Sequence, residues 1–461
     1  MVDIDGPEGI WYLLGCCISM QEKNRPYCKV KAHVVERIRE SNYWNLLALP
    51  QKQCWGLGCI LHGMKFFAHL NTAVQVINQY KGQQPFGIFI KDFFRQDKKY
   101  GSRDRKSISH LCYCFFRLGK SYTSLPVEER MVAGLFLCSV APNEMLAQLK
   151  PAWNEKAGLS VEEKFSLVNE HSASAVSGLL PSGLSIFPWK DALSAGIDHG
   201  AFSASFLVQP QLFLRIRPGK EKVVKQKLDA AGISYGMPAP NCIALPNALK
   251  IDEVILLNKE VVIQDYSSQR VGEFLRPEVL PRVPGLRVWD CCAASGGKSI
   301  LAWDVLGAID LTVSDIRESI IINLKKRFTE AGITKYRSFV ADVSNAQASL
   351  QLAAAPQLII ADVPCSGSGT WSRTPEQLYY FDTAAIGRYS SLQQKIVGRV
   401  LGKLAPGGHF LYITCSVFRE ENEEVVNFIQ QQFGLEVVKM ELLRGYDQQA
   451  DTMFAALLKK G

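Results

Sequence analysis

Between residues 286 and 414 five short apolar runs recur, LRVWD, DLTVSD, YRSFVAD, QLIIAD and HFLYIT, and amphipathic helical patterns separate them. No other feature restricts the fold so tightly. Strands that alternate with stretches such as residues 318 to 333 and IGRYSSLQQKIVGRVLGKL build a parallel sheet covered by helices on both faces. Four of the five runs end in an acid: Asp290, Asp315, Asp342 and Asp362. Ligands of open α/β sheets bind outside the carboxyl ends of the strands, so these acids are expected to line one crevice.

The first run leads into WDCCAASGGKS, residues 289 to 299, whose Gly-Gly-Lys-Ser ending resembles a phosphate-binding loop. That loop needs a glycine five residues before the Gly-Lys pair, and Cys292 stands there. A dinucleotide fingerprint is absent too, because Ser295-Gly296-Gly297 is the only glycine cluster at the turn. Asp315, 25 residues past Asp290, has the spacing to take the hydroxyls of a ribose, and Asp342 falls where an adenine is held. A cofactor with ribose and adenine but no phosphate satisfies these limits, and a sulfonium cation suits an acid-lined crevice. The expected cofactor is S-adenosylmethionine.

Two cysteines set the chemistry. ADVPCSGSGTW puts Cys365 just past the fourth run, and YITCSVFREENEEVV puts Cys415 at the end of the fifth. Parallel neighbouring strands bring both thiols to one sheet edge beside the cofactor. A thiolate that adds to carbon 6 of cytosine turns carbon 5 into a nucleophile able to accept a methyl group. Asp362, next to the pyrimidine, can hydrogen-bond the ring nitrogen during addition.

In this order DCCAASGGKS, VSD, ADV, ADVPCSGSGT and YITCS resemble the RNA 5-methylcytosine methyltransferases of the Sun/RsmB type. QDYSSQ (264 to 269) resembles the segment that precedes their catalytic domain, and GSRDRKSISHLCYCFFRLGK resembles their NusB-like RNA-binding domain. The resemblance implies Cys415 as the nucleophile and Cys365 as the residue that assists release of the methylated base. It further implies that Cys292, Ala293, Ala294, Ser295, Gly296, Gly297 and Lys298, with Asp315, Asp342 and Asp362, hold S-adenosylmethionine. Ser295 departs from the proline usual in that family's turn. The substrate class so implied is RNA, ribosomal RNA first and transfer RNA as the alternative. The rival readings are a DNA enzyme attacking with the Pro-Cys thiol and a non-catalytic RNA-binding or assembly factor that kept the fold.

The rest of the 461 residues divides by pattern. Residues 1 to 63 show little periodicity and read as an uncertain extension; Cys54, Cys59 and His62 there match no standard zinc spacing, and no metal is expected. Residues 64 to 190 read as an all-α, NusB-like domain. Ile108, Leu111, Cys112, Phe115 and Leu118 make one helix face, His110, Cys112 and Cys114 read as core, Pro126 with Glu128 and Glu129 suits a first turn, and Ser160 with Glu163 forms a capping box. Residues 191 to 280 read as a small α+β RNA-recognition domain in which QLFLRIRP is a half-buried strand. Arg215, Arg217, Lys220, Lys222 and Lys225 there are either a solvated face or a nucleic-acid backbone surface. Residues 281 to 461 form the Rossmann-like methyltransferase domain. A net charge of +8 fits an RNA partner. Thirteen cysteines without a disulfide framework point to a reducing compartment. IWYLLGCCISM is about half a membrane span, and Asp3, Asp5 and Glu8 precede it where a signal peptide is basic. The expectation is a cytoplasmic monomer that touches no membrane.

Overall fold

The computed structural model describes the backbone of residues 57–97, 99–173, 186–247 and 249–461. The expected extension, with Cys54, Cys59 and His62, falls outside these residues except for the backbone from residue 57. The chain divides at Gly63, and residues 64–461 pack as one unit.

Helices come first: α1 (Leu57–Gln79), α2 (Phe86–Gln96), α3 (Ser102–Arg117), α4 (Val127–Cys138), α5 (Glu144–Leu149), α6 (Pro151–Asn154), α7 (Val161–Ala173) and α8 (His199–Ser205). The expected face of α3 is buried: Ile108, Leu111, Cys112, Phe115 and Leu118 are each no more than 2% exposed. α7 starts on the expected capping box, in which the Ser160 amide donates to Glu163 Oε2 at 2.9 Å and the Glu163 amide donates to Ser160 Oγ at 3.3 Å. Helical packing continues past residue 190, since Phe187, Phe202 and Phe206 join the same core. That core also takes in Trp371, Leu378, Ile386, Val417 and Phe418 from far along the chain.

A small antiparallel sheet follows, built from β1 (Leu212–Ile216), β2 (Gly236–Ala239), β3 (Cys242–Leu245) and β4 (Val261–Ile263) in the order β2-β3-β1-β4, with α9 (Glu221–Ala230) inserted after β1. The expectation of a half-buried β1 is corrected. Leu214 and Ile216 pack under α9 with Val224 and Leu228, while Phe213 packs on the other face with Cys242 and Ala450. Both faces are therefore covered. α10 (Tyr266–Arg270) connects this sheet to the next.

The large sheet has seven strands, not the five read from the sequence: β5 (Arg287–Asp290), β6 (Asp310–Asp315), β7 (Tyr336–Val340), β8 (Leu358–Asp362), β9 (His409–Thr414), β10 (Glu436–Leu443) and β11 (Met453–Lys459). Its order is β10-β11-β9-β8-β5-β6-β7. β5 is parallel to β6 and β8, β6 to β7, and β8 to β9, whereas β11 runs against both its neighbours. Alternate residues feed two cores. Val288, Ile360 and Leu411 face α11 (Gly297–Leu306) and α12 (Glu318–Glu330). Trp289, Ile359 and Tyr412 face α14 (Ala384–Leu401) and α15 (Glu423–Phe433), and the short α13 (Pro375–Tyr380) precedes α14. The chain order of the strands reverses at β5, between β6 and β8, and ligands of such sheets bind outside the carboxyl ends of the strands at that point.

Candidate active site

The turn after β5 is shaped by its backbone. Ala294 and Gly296 have positive φ, +44° and +83°, and a Cβ added at Gly296 would lie 2.7 Å from the Phe328 ring, so only glycine fits there. A Cβ at Gly297 would meet nothing within 4 Å, which leaves room for a ligand against the start of α11. Asp315 at the end of β6 is buried and anchors this turn: Oδ2 accepts from the Ala294 amide at 3.0 Å, and Oδ1 accepts from the Arg317 amide at 3.0 Å. Asp342 lies two residues past β7, where Ser344 donates to its Oδ1 twice and lowers its pKa. Open space at Gly297, with carboxylates at successive strand ends, fits a ribosyl sulfonium cofactor.

One expectation at this edge needs correction. Asp290 does not line the crevice; it is fully buried beneath the turn, accepts from Ser299 Oγ at 2.6 Å, and burial pushes its pKa to about 7. Lys298 turns its ammonium to Asp362 Oδ2 at 3.0 Å and to Ser268 Oγ at 2.8 Å. That pair engages Oδ2 of Asp362, and among the described residues no hydrogen bond falls on its Oδ1. Cys292 is half-buried, Ala293 is buried, and Ser295 is exposed and receives Arg327 Nη1 on both its carbonyl and its hydroxyl, at 2.8 and 2.7 Å.

Cys365 and Cys415 meet as expected, with their sulfurs 3.2 Å apart and unbridged. The parallel pairing of β8 and β9, with Asp362 opposite Ile413, sets this separation. The Cys415 sulfur, and after it burial, pushes the Cys365 thiol far above its usual range. Behind both loops sits Glu421, a residue the sequence reading missed. It is fully buried and accepts from the Ser366 amide at 2.8 Å, Ser416 Oγ at 2.7 Å and Gln393 Nε2 at 3.1 Å. One carboxylate thus holds the residue after each cysteine. Gly369 closes the same loop: its amide donates to the Cys415 carbonyl at 2.9 Å, and an added Cβ would fall 1.9 Å from the Thr452 carbonyl oxygen.

A second missed group braces the site from outside. Arg373 donates to Asp265 Oδ2 at 2.7 Å and to Asp451 Oδ1 at 2.8 Å, joining the QDYSSQ segment to the loop before β11. The basic patch read on the small sheet is also corrected. Arg215 and Arg217 are not free for an RNA backbone, because both pair with Asp304 of α11 at 2.7 Å, and the Arg215 and Asp304 side chains are 7% and 3% exposed. Exposed Lys222 and half-buried Lys220 and Lys225 remain outside that network.

Strand order, glycine turn and cofactor crevice define a Rossmann-like, S-adenosylmethionine-dependent methyltransferase. Residues 278–457 match the family model described as 16S rRNA methyltransferase RsmB/F. Ribosomal RNA small subunit methyltransferase B of Xylella fastidiosa (strain 9a5c) is 26% identical over 347 residues, 70% of this chain and 80% of that protein. The protein of the same name from Salmonella paratyphi B is 30% identical over 177 residues, 37% of this chain and 38% of its own. In fold, the crystal structure of PH0851 superposes with a TM-score of 0.59 at 16% identity, over 89% of this chain and all of that one. A methyltransferase homolog from Pyrococcus horikoshii gives 0.50 at 20% identity, over 61% and 96%. Over residues 278–457 this chain is similar to the RsmB/F methyltransferase family. No helix long and apolar enough to cross a membrane, and no cluster of three or more metal-ligating side chains, occurs among the described residues.

Proposed function

We propose that this protein methylates carbon 5 of cytosine in RNA, and that the RNA is ribosomal. The observation that carries the reading is the pair of sulfurs 3.2 Å apart at adjacent strand ends, with Asp362 at the end of the same β8. When bound, S-adenosylmethionine supplies an electrophilic methyl group; the turn from Cys292 to Lys298 with Asp315, Asp342 and Asp362 would hold it. Cys415 adds its sulfur to carbon 6, and the electron pair displaced from the 5,6 bond makes carbon 5 nucleophilic. Asp362, through Oδ1, hydrogen-bonds the ring nitrogen and supports the charge that develops on addition. After transfer carbon 5 loses its proton, the bond from carbon 6 to Cys415 breaks, and the ring recovers its double bond. Cys365, held protonated beside the departing sulfur, assists this release.

An unpaired cytosine reaches the thiols without the cost of opening a stable duplex, which favours an RNA loop. The family description and the relatives' names support ribosomal RNA, and the basic excess supports a polyanionic partner. The helical domain and Lys220, Lys222 and Lys225 would contribute to RNA binding. The expected place of action is the cytoplasm, where closely spaced thiols stay reduced. The test is transfer from labelled cofactor to ribosomal RNA of cells lacking the gene, followed by mapping of 5-methylcytosine. A single restored 5-methylcytosine in ribosomal RNA is expected; label confined to another RNA, or to another position on the base, overturns the reading.

A further inference from the structure

Beside the thiols a cavity of about 480 Å³ opens between the loop joining α1 to α2 and the start of α13 and α14. Ser366, the residue after Cys365, lies in its wall together with Gln84, Glu376, Tyr380, Arg388 and Tyr389. Its size is within the range of ligand sites, about 300–1,000 Å³.

Most of its aromatic wall already has an internal task. Tyr80 donates to the Gln84 carbonyl at 2.6 Å, Tyr380 to the Tyr80 carbonyl at 2.8 Å, and Trp371 to the Ser366 carbonyl at 3.2 Å. Tyr389 differs. Among the described residues its hydroxyl makes no hydrogen bond and its ring touches no other aromatic ring, although it is half-buried. Burial, and after it the charges of Cys365, Glu421 and Cys415, raise its pKa, so it stands as a neutral phenol in the wall it shares with Ser366. Glu376, 4% exposed, accepts from the Phe86 amide through one carboxyl oxygen, while the other is buried with no hydrogen-bond partner among the described residues. Arg388 lines the cavity and is exposed, and among the described residues its one ion pair is with Asp382, at 3.7 Å.

A free ring face, amide and carboxyl groups at the wall and a loosely held guanidinium at the rim match the three parts of a nucleotide. The base stacks, its edge hydrogen-bonds, and the phosphate meets the cation. The target base must reach Cys415, so the site whose wall begins one residue after Cys365 serves a neighbour on the strand. Resting on the RNA-methyltransferase reading, we infer that this cavity receives the unpaired nucleotide adjacent to the target cytosine, with Tyr389 as its stacking partner.

The test uses the full chain, labelled S-adenosylmethionine and ribosomal RNA from cells lacking the gene. Tyr389→Ala removes the ring, and Ala385→Trp fills the cavity from α14. Each should raise the KM for RNA about ten-fold or more, the scale set by base–aromatic stacking, while calorimetric affinity for S-adenosylmethionine stays put. Tyr389→Phe, which keeps the ring, should recover most of the loss. Once the methylated position is mapped, a transcript lacking the neighbouring base should cost the wild type the same factor and Tyr389→Ala nothing more. An unchanged KM in both variants, or a fall in kcat at constant KM, overturns the inference. A wild-type protein that methylates no RNA instead refutes the reading beneath it, and this one with it.

Discussion

Glu421 ties the Ser366 amide to the Ser416 hydroxyl, and so fixes the backbone after each cysteine. Glu421→Ala strands both groups in a dry site, at about 1–3 kcal/mol for each buried unpaired group. The expected result is a lower melting temperature and a kcat reduced on the order of a hundred-fold with cofactor affinity kept, part of it restored by Glu421→Gln; calorimetry and single-turnover rates check this. Asp290 makes a pH prediction. Its folded pKa, about 7, lies above the usual 3.8, so the folded state holds the proton more tightly. Its contribution to stability is therefore full below about pH 4 and is lost as pH rises towards 7. Asp290→Asn should flatten that fall and raise the melting temperature at pH 8; a variant that loses stability there relative to wild type contradicts the assignment. At this scale the sequence showed Cys365 and Cys415, because each ends a recognisable strand. Glu421 stayed hidden among the four glutamates of REENEEVV, since nothing local distinguishes the one that turns inward. Asp290 looked like its three counterparts, and only the Ser299 hydroxyl from the helix above shows that it lies beneath the turn.

At the level of elements, the small sheet acts as a brace on the cofactor turn. Arg215 and Arg217 hold Asp304 on α11, and Asn258 accepts Arg327 Nε at 3.1 Å while the same guanidinium grips Ser295. Asp304→Ala leaves Arg215 buried without a counter-ion, so a loss of roughly 3–5 kcal/mol is expected in chemical denaturation. Arg327→Ala should weaken S-adenosylmethionine binding about ten-fold by calorimetry with little change in RNA retention; unchanged cofactor affinity would remove the brace from the account. These links explain why the arginines read as a surface patch. Alternation in QLFLRIRP is what a one-sided strand shows, but Ala450, more than 200 residues later, covers the second face, and the partner Asp304 is 89 residues past Arg215. β10 and β11 were missed for related reasons. β10 lies at the sheet edge with alternate residues exposed, and MFAALLK of β11 is buried nearly throughout, a run with no strand period to read.

Across the whole molecule, helical and catalytic parts share one core, with Phe187 and Trp189 packed against Trp371 and Phe418. Strand and helix patterns made the parallel sheet and its helical neighbour legible one by one. Their seam was not legible, because aromatic residues from segments more than about 180 residues apart carry no mark of pairing. The seam places the α1–α2 loop and Ser366 of the Cys365 loop around one cavity, so a substrate bound there would meet both parts at once. The central claim remains the division of labour between the two sulfurs, and covalent trapping tests it most directly. Each cysteine variant would be incubated with S-adenosylmethionine and unmethylated ribosomal RNA, and the protein resolved on a denaturing gel with intact mass after nuclease digestion. The account predicts a stable protein–RNA adduct for Cys365→Ala and none for Cys415→Ala; an adduct that persists in Cys415→Ala and is lost in Cys365→Ala would contradict it.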